Sequence, residues 1–118
     1  MLTFLAPLTL TLAQAGTATE PPKLTLEQAS ALRCSVAFGL VHKGQLEGDA
    51  TMARYPVMAE RGREFFVRTT AQLMDELGID REAIMVLVTR ESTALTTSSG
   101  RLDEVMPACL MMLESSGL

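Results

Sequence analysis

Helix start and stop signals divide the chain after residue 24 into four helical segments. The first segment has a complete capping pattern, because Thr25 is followed three residues later by Gln28. Apolar residues then recur at helical spacing and form a broad stripe. A broad stripe must contact more than one neighbour, so we expect this helix to lie at the centre of the fold and to end between Gly44 and Gly48.

A break in the chain separates the first helix from the second. Asp49 is a good N-cap and predicts a short helical turn that ends at Arg54. Pro56 disfavours helix in the residue before it but suits a first helical position. The second long helix is therefore predicted to begin at Pro56 and to end at Gly78, a typical C-terminal glycine.

The third and fourth predicted helices have start and stop signals of their own. Asp80 is the N-cap of the third helix, which extends to about Leu95. The fourth is predicted over residues 102–116, with Gly117 ending it so that Leu118 folds back onto Leu113. Pro107 lies inside this segment, so the fourth helix is either kinked or begins later than its apolar pattern indicates.

The apolar composition agrees with a helical fold. Ala, Leu and Met greatly outnumber Val and Ile, and aromatic residues make up 4% of the 118 residues. A chain of this length forms one domain of ordinary size. We therefore predict a single all-α domain over residues 25–118, either a four-helix bundle or an irregular small helical domain with one disulfide.

The first fifteen residues have the features of a signal peptide. Residues 1–15 carry no charged side chain, are rich in Leu, and end in Ala13-Gln14-Ala15, which predicts cleavage between Ala15 and Gly16. Residues 16–24 then form a flexible leader. The alternatives are an uncleaved interfacial helix or a first helix of the fold. Export predicts a periplasmic or secreted protein with no stable membrane span after cleavage.

The two cysteines are predicted to form one disulfide. Cys34 lies in the middle of the first predicted helix and Cys109 in the fourth, both among apolar residues. An even number of cysteines in an exported chain favours pairing. If the protein is not exported, the alternative is two reduced cysteines in the core. Two thiols and one distant His do not complete a zinc site, so no metal is predicted.

The remaining polar residues do not form a recognised catalytic motif. His42 is the only His, and no nucleophile is linked to it by a motif, so its favoured role is a cation near a helix end. The Met residues are interpreted as core residues rather than copper ligands. With a net charge of −4 the chain lacks the basic surface that nucleic-acid binding requires. We expect no enzyme activity and no cofactor.

One charged segment is the candidate partner patch. In the stretch GREFFVR and the residues just before it, arginines and glutamates surround a Phe pair. Arginine and aromatic residues are enriched among interface hot spots, so we assign the patch to Arg61, Arg63, Phe66 and Arg68. The alternative is a solvated charged face at a helix crossing, with Gly62 admitting a neighbouring helix.

Several segments taken together carry a resemblance. They are the capped helix with Cys34 and the stretches GREFFVR, LMDELGIDREA and CLMMLESSGL. With the leader, they resemble small exported all-helical proteins of alphaproteobacteria of the sphingomonad type, which as a group have no assigned activity. The resemblance implies location and architecture only. In general plan the chain is also similar to periplasmic acid-stress chaperones.

These observations lead to two functional hypotheses. The first is a non-enzymatic, soluble envelope protein that binds an unknown protein partner or a small apolar ligand. The second is an acid- or stress-activated periplasmic chaperone, whose apolar faces become exposed when its carboxylates are protonated.

Overall fold

Helices are the only regular secondary structure in the described residues that follow the leader. A computed structural model describes Thr3 and residues 21–118. It contains α1 (Leu26–Leu46), α2 (Ala50–Ala53), α3 (Arg61–Leu77), α4 (Arg81–Thr97) and α5 (Arg101–Ser115), with no strand in the described part of the chain. The predicted all-α fold is confirmed. Apart from Thr3, the predicted signal peptide and residues 16–20 of the leader lie outside the described residues. In residues 21–118, no helix is long and apolar enough to cross a membrane.

Three of the helices begin at their predicted N-cap residues. Thr25 Oγ1 accepts a hydrogen bond from the Gln28 backbone N–H at 3.1 Å, and the Gln28 side chain accepts one in return from the Thr25 N–H. Asp49 caps α2 through the Thr51 N–H, and Asp80 caps α4 through the Ala83 N–H. These bonds satisfy backbone donors that have no partner within the helix.

The start of α3 differs from the prediction. The helix begins at Arg61, and residues 56–60 are not helical. The Gln45 side chain explains the difference: its Nε2 lies 3.0–3.2 Å from the carbonyl oxygens of Met52, Tyr55 and Pro56, and its Oε1 accepts from the Met58 N–H. Because these bonds engage the backbone, they hold the α2–α3 connection in a non-helical conformation.

The last helix passes through its proline. It starts at Arg101, one residue before the predicted range of 102–116, and continues through Pro107 to Ser115, so of the two alternatives for Pro107 the later start is excluded. Gly117 has a φ of 78°, in the left-handed region that favours glycine. Leu118 is half-buried and packs against the core, while its N–H donates to Ser116 Oγ at 3.4 Å. The chain therefore returns to the core after α5.

Helix α1 is the centre of the fold, as its broad apolar stripe predicts. It packs against α2, α3, α4 and α5. Its buried side chains include Cys34, Phe38 and Val41, and the Phe38 ring meets the Phe65 ring of α3 edge to face at 5.2 Å. The predicted Cys34–Cys109 disulfide is present and joins α1 to α5 across 75 residues of sequence.

A glycine allows α1 and α3 to approach closely. A Cβ atom added at Gly62 would lie 2.9 Å from Met58 Cβ and 3.3 Å from Phe38 Cβ. The first distance is shorter than real Cβ contacts and the second is tighter than most, so a larger residue here would force Met58 and α1 to shift. Gly62 therefore admits a neighbouring helix, as expected, and that helix is α1. It also admits the chain just before α3.

Candidate functional site

The predicted partner patch is divided between two parts of the molecule. Arg61 and Arg68 point toward the end of α5. Arg61 Nε donates to the Leu118 carbonyl oxygen at 2.9 Å and its Nη2 to Glu114 at 2.8 Å, while Arg68 Nη1 donates to the Ser116 carbonyl oxygen at 3.2 Å. These two arginines therefore hold the end of α5 against α3 and have intramolecular partners.

Arg63 and Phe66 lie on a different side of α3. Both line a surface groove between α3 and α1, with Phe38 and Gly39 contributed by α1. Arg63 is exposed, and within residues 21–118 its side chain forms no ion pair. The structure therefore brings together only half of the predicted patch, and it adds residues of α1 to it.

The floor of this groove is one face of α1. Gly39, His42 and Leu46 are spaced by three and four residues, so they lie on the same side of the helix. His42 borders the space beside Phe66 and also the larger space beside Leu46, so the two spaces are neighbouring parts of one surface along α1. We call it the α1–α3 groove; its further lining residues are Gln45, Gly48, Asp49, Ala53, Tyr55, Val57, Met58, Ala59 and Gly62.

The α1–α3 groove is apolar and open to solvent. Its two parts have volumes of about 190 Å³ and 420 Å³. Leu46 and Val57, at its wider end, are 74% and 77% exposed. Large aliphatic side chains this exposed on a small domain are typical of surfaces that bind a partner or a ligand when they lie together.

One wall of the groove is the connection between α2 and α3. Tyr55, Val57 and Ala59 belong to this connection, and Gln45 holds it through the hydrogen bonds described above. The Gln45 side chain thus joins the floor of the groove to its wall. The Gln45 amide therefore holds the wall from the side of α1. Residues 56–60 of the wall form neither a helix nor a strand.

The same wall is tied to α5 by a polar cluster. Asp103 of α5 accepts a hydrogen bond from the Tyr55 hydroxyl and pairs with Arg54 Nη2 at 2.8 Å. The Arg54 guanidinium also lies 5.5 Å from the centre of the Tyr55 ring, a cation–π distance. We call Arg54, Tyr55 and Asp103 the wall cluster, because they join the groove wall to the last helix.

Titration properties follow from these contacts. The hydrogen bond from Tyr55, followed by that from Arg54, lowers the pKa of Asp103 below its ordinary value. Burial, and then the bond to Asp103, raises the pKa of Tyr55. The hydrogen bond to Asp103 and its charge likewise raise the pKa of Arg54. The cluster is therefore ionised at Asp103 and Arg54 and neutral at Tyr55 over the physiological range.

The polar residues of the groove do not assemble a metal site. In the described part of the chain, no three His, Cys, Asp or Glu side chains lie close enough together to hold an ion. Two methionines, Met58 and Met106, are fully buried in the core, whereas Met111 is exposed on α5. His42 lies half-buried at the middle of the groove.

Sequence reasoning missed most of this groove. Gln45, Leu46 and Val57 carry no motif, and Gly39 was not distinguished from other helix residues. One signal was present: Gly39 interrupts a good helix, where glycine costs about 1 kcal/mol relative to alanine. Unlike Gly62, it has no neighbour in the described part of the chain that favours glycine, since a Cβ added at Gly39 meets none of those residues within 4 Å.

Comparison of the chain with protein-family models, curated proteins and solved structures found no match. The resemblance to exported helical proteins of sphingomonads therefore stays a prediction. The function of the α1–α3 groove has to be argued from its own residues.

Proposed function

We propose that this protein is a non-enzymatic envelope protein that binds a protein partner or a small apolar ligand in the α1–α3 groove. The observation that carries the proposal is the exposure of Leu46 and Val57 beside an open apolar groove. Apolar side chains that are exposed together beside a groove are typical of a binding site, because an occupant that covers them removes apolar surface from water. The guanidinium of Arg63 at the narrower end, which forms no ion pair within residues 21–118, adds a polar anchor for an occupant.

An envelope location agrees with two features of the chain. The Cys34–Cys109 disulfide is compatible with an oxidising compartment. Residues 1–15, which precede the leader, have the composition of a signal peptide. Intact-mass measurement on protein from a periplasmic extract tests this part: the expected chain begins at Gly16 and has no free thiol. A chain that keeps residues 1–15 and stays in the cytoplasm would reject export.

Binding in the groove is tested with the fluorescent apolar dye ANS and a matched pair of variants. Val57 in the groove and Met111 on α5 are 77% and 72% exposed, so replacing either with aspartate removes a similar amount of apolar surface. We expect Val57→Asp to abolish most of the dye binding and Met111→Asp to leave it unchanged. Equal dye binding by both variants and the unaltered protein, measured at protein concentrations low enough that no second copy covers the groove, would contradict the proposal. Circular dichroism confirms that both variants are folded.

The wall cluster favours a second candidate function, the acid-activated chaperone. Protonation of Asp103 removes its charge pair with Arg54, which frees the groove wall from α5. An opened wall would expose Met58, a core residue within this connection, and the partly buried Met52 of α2. The expected result is suppression of client aggregation at acidic pH but not at pH 7. A protein that stays inactive toward aggregating clients at every pH excludes this candidate.

A further inference from the structure

The α1–α3 groove carries a projecting side chain at its wider end and a glycine in the floor of its narrower end. Leu46 projects into solvent and is 74% exposed. Gly39, about two helical turns or roughly 10 Å away on the same face, has open space where its Cβ would stand. A projecting leucine can pack onto such a glycine, because the missing Cβ lets the leucine side chain reach the helix backbone.

The charges at the two ends are also complementary. Arg63 lines the groove near Gly39 and has no ion-pair partner among residues 21–118. Asp49 lines it near Leu46; one carboxylate oxygen accepts from the Thr51 N–H and the other has no hydrogen bond within the described chain. Leu46 and Asp49 at the wider end thus complement Gly39 and Arg63 at the narrower end, one pair by size and the other by charge.

We propose that the protein partner of this groove is a second copy of the chain, bound with its α1 antiparallel to the first. Leu46 of each copy then covers Gly39 of the other, and Arg63 of each copy approaches Asp49 of the other. The two-fold axis passes beside His42, midway between Gly39 and Leu46. This inference rests on the proposed function, for which it names the partner.

Antiparallel packing is the arrangement that uses both complementarities. In a two-fold pair every contact occurs twice, so a surface binds a copy of itself only if its two ends match each other. With parallel helices, Leu46 would meet Leu46 and the space over Gly39 would stay empty. A partner of different sequence would not need matched ends on this one surface, so the match favours self-association.

Sedimentation equilibrium of the purified protein over a range of concentrations tests the dimer. The average mass of the unaltered protein is expected to rise from that of a monomer toward twice that value. Leu46→Glu removes the projecting leucine and Arg63→Glu places like charges at each end, so each is expected to raise the dissociation constant at least about tenfold. Met111→Glu and Arg90→Glu are the matched controls, because both residues are exposed outside the groove.

Each outcome decides the question. A mass that stays monomeric at all concentrations overturns the dimer, and so does a dimer that Leu46→Glu and Arg63→Glu leave intact. Circular dichroism separates lost association from lost folding. If the protein is monomeric but Val57→Asp still abolishes dye binding, the groove binds another partner or an apolar ligand: the proposed function stands and this inference fails. If neither is observed, both fail.

Discussion

The two sides of α1 differ in how their small residues are used. On the closed side, by which we mean the contacts of α1 with the interior, Gly62 of α3 packs against the buried Phe38 at the bottom of the groove, and the Cys34–Cys109 disulfide fixes α1 to α5. On the open side, Gly39 has no neighbour within 4 Å of a would-be Cβ. Glycine in a helix is costly in both places. On the closed side the fold gains close packing in return, whereas on the open side the described residues supply no such packing and the proposed second copy would supply it.

The closed side is tested most strongly by removing its disulfide. Replacing Cys34 and Cys109 together with alanine opens a loop of 75 residues in the unfolded chain. The chain-entropy model predicts a loss of about 4 kcal/mol in the free energy of unfolding, measured by urea denaturation. Met111→Ala is the control on an exposed position of the same helix. An unfolding midpoint equal to that of the control would show that the bridge does not support the closed side.

A smaller loss is expected when the close contact at Gly62 is altered. Gly62→Ala places a methyl group 2.9 Å from Met58 Cβ, which is attached directly to the backbone and has little freedom to move. Overpacking of this kind costs about 1–3 kcal/mol, and the better helix propensity of alanine offsets only part of it. Thermal unfolding measures the effect. A variant more stable than the unaltered protein would mean that α1 and α3 are not in close contact here.

The wall cluster, on the open side, gives a pH-dependent effect. The pKa of Asp103 is lowered in the folded state, so its stabilising contribution is present above its ordinary pKa and is lost as the pH falls through the lowered value. Asp103→Asn is therefore expected to lower the urea midpoint slightly at pH 7, with the difference shrinking toward zero in acid. A difference that is constant with pH would mean that the Asp103 charge does not hold the wall.

Much of the fold is predictable from the sequence because its signals are local. Thr25, Asp49 and Asp80 cap helices through bonds to residues two or three positions away, and these pairings are readable in the sequence. The disulfide was predicted from the number of cysteines and their apolar setting in two helices. Such features depend on few residues, so tertiary structure does not override them.

The candidate site depends on contacts between distant residues, and there the sequence was less informative. The predicted start of α3 was wrong because Gln45, more than ten residues upstream, forms hydrogen bonds with the backbone of Pro56 and Met58. These bonds hold in a non-helical conformation the segment in which Pro56 was expected to begin the helix. The partner patch was divided because Arg61 and Arg68 find carbonyl oxygens at the end of α5. No local pattern shows which arginine will be used inside the fold and which will stay free.

The most direct test of the contrast between the two sides is Gly39→Ala, measured in two ways. Because the added methyl group meets nothing in the monomer, urea denaturation at dilutions where the protein is monomeric should show a gain of about 0.5–1 kcal/mol. Sedimentation equilibrium on the same variant should show weakened dimerisation, since the methyl group occupies the space that Leu46 of the other copy requires. A variant that is less stable as a monomer, or that dimerises as well as the unaltered protein, would contradict this account of the open face.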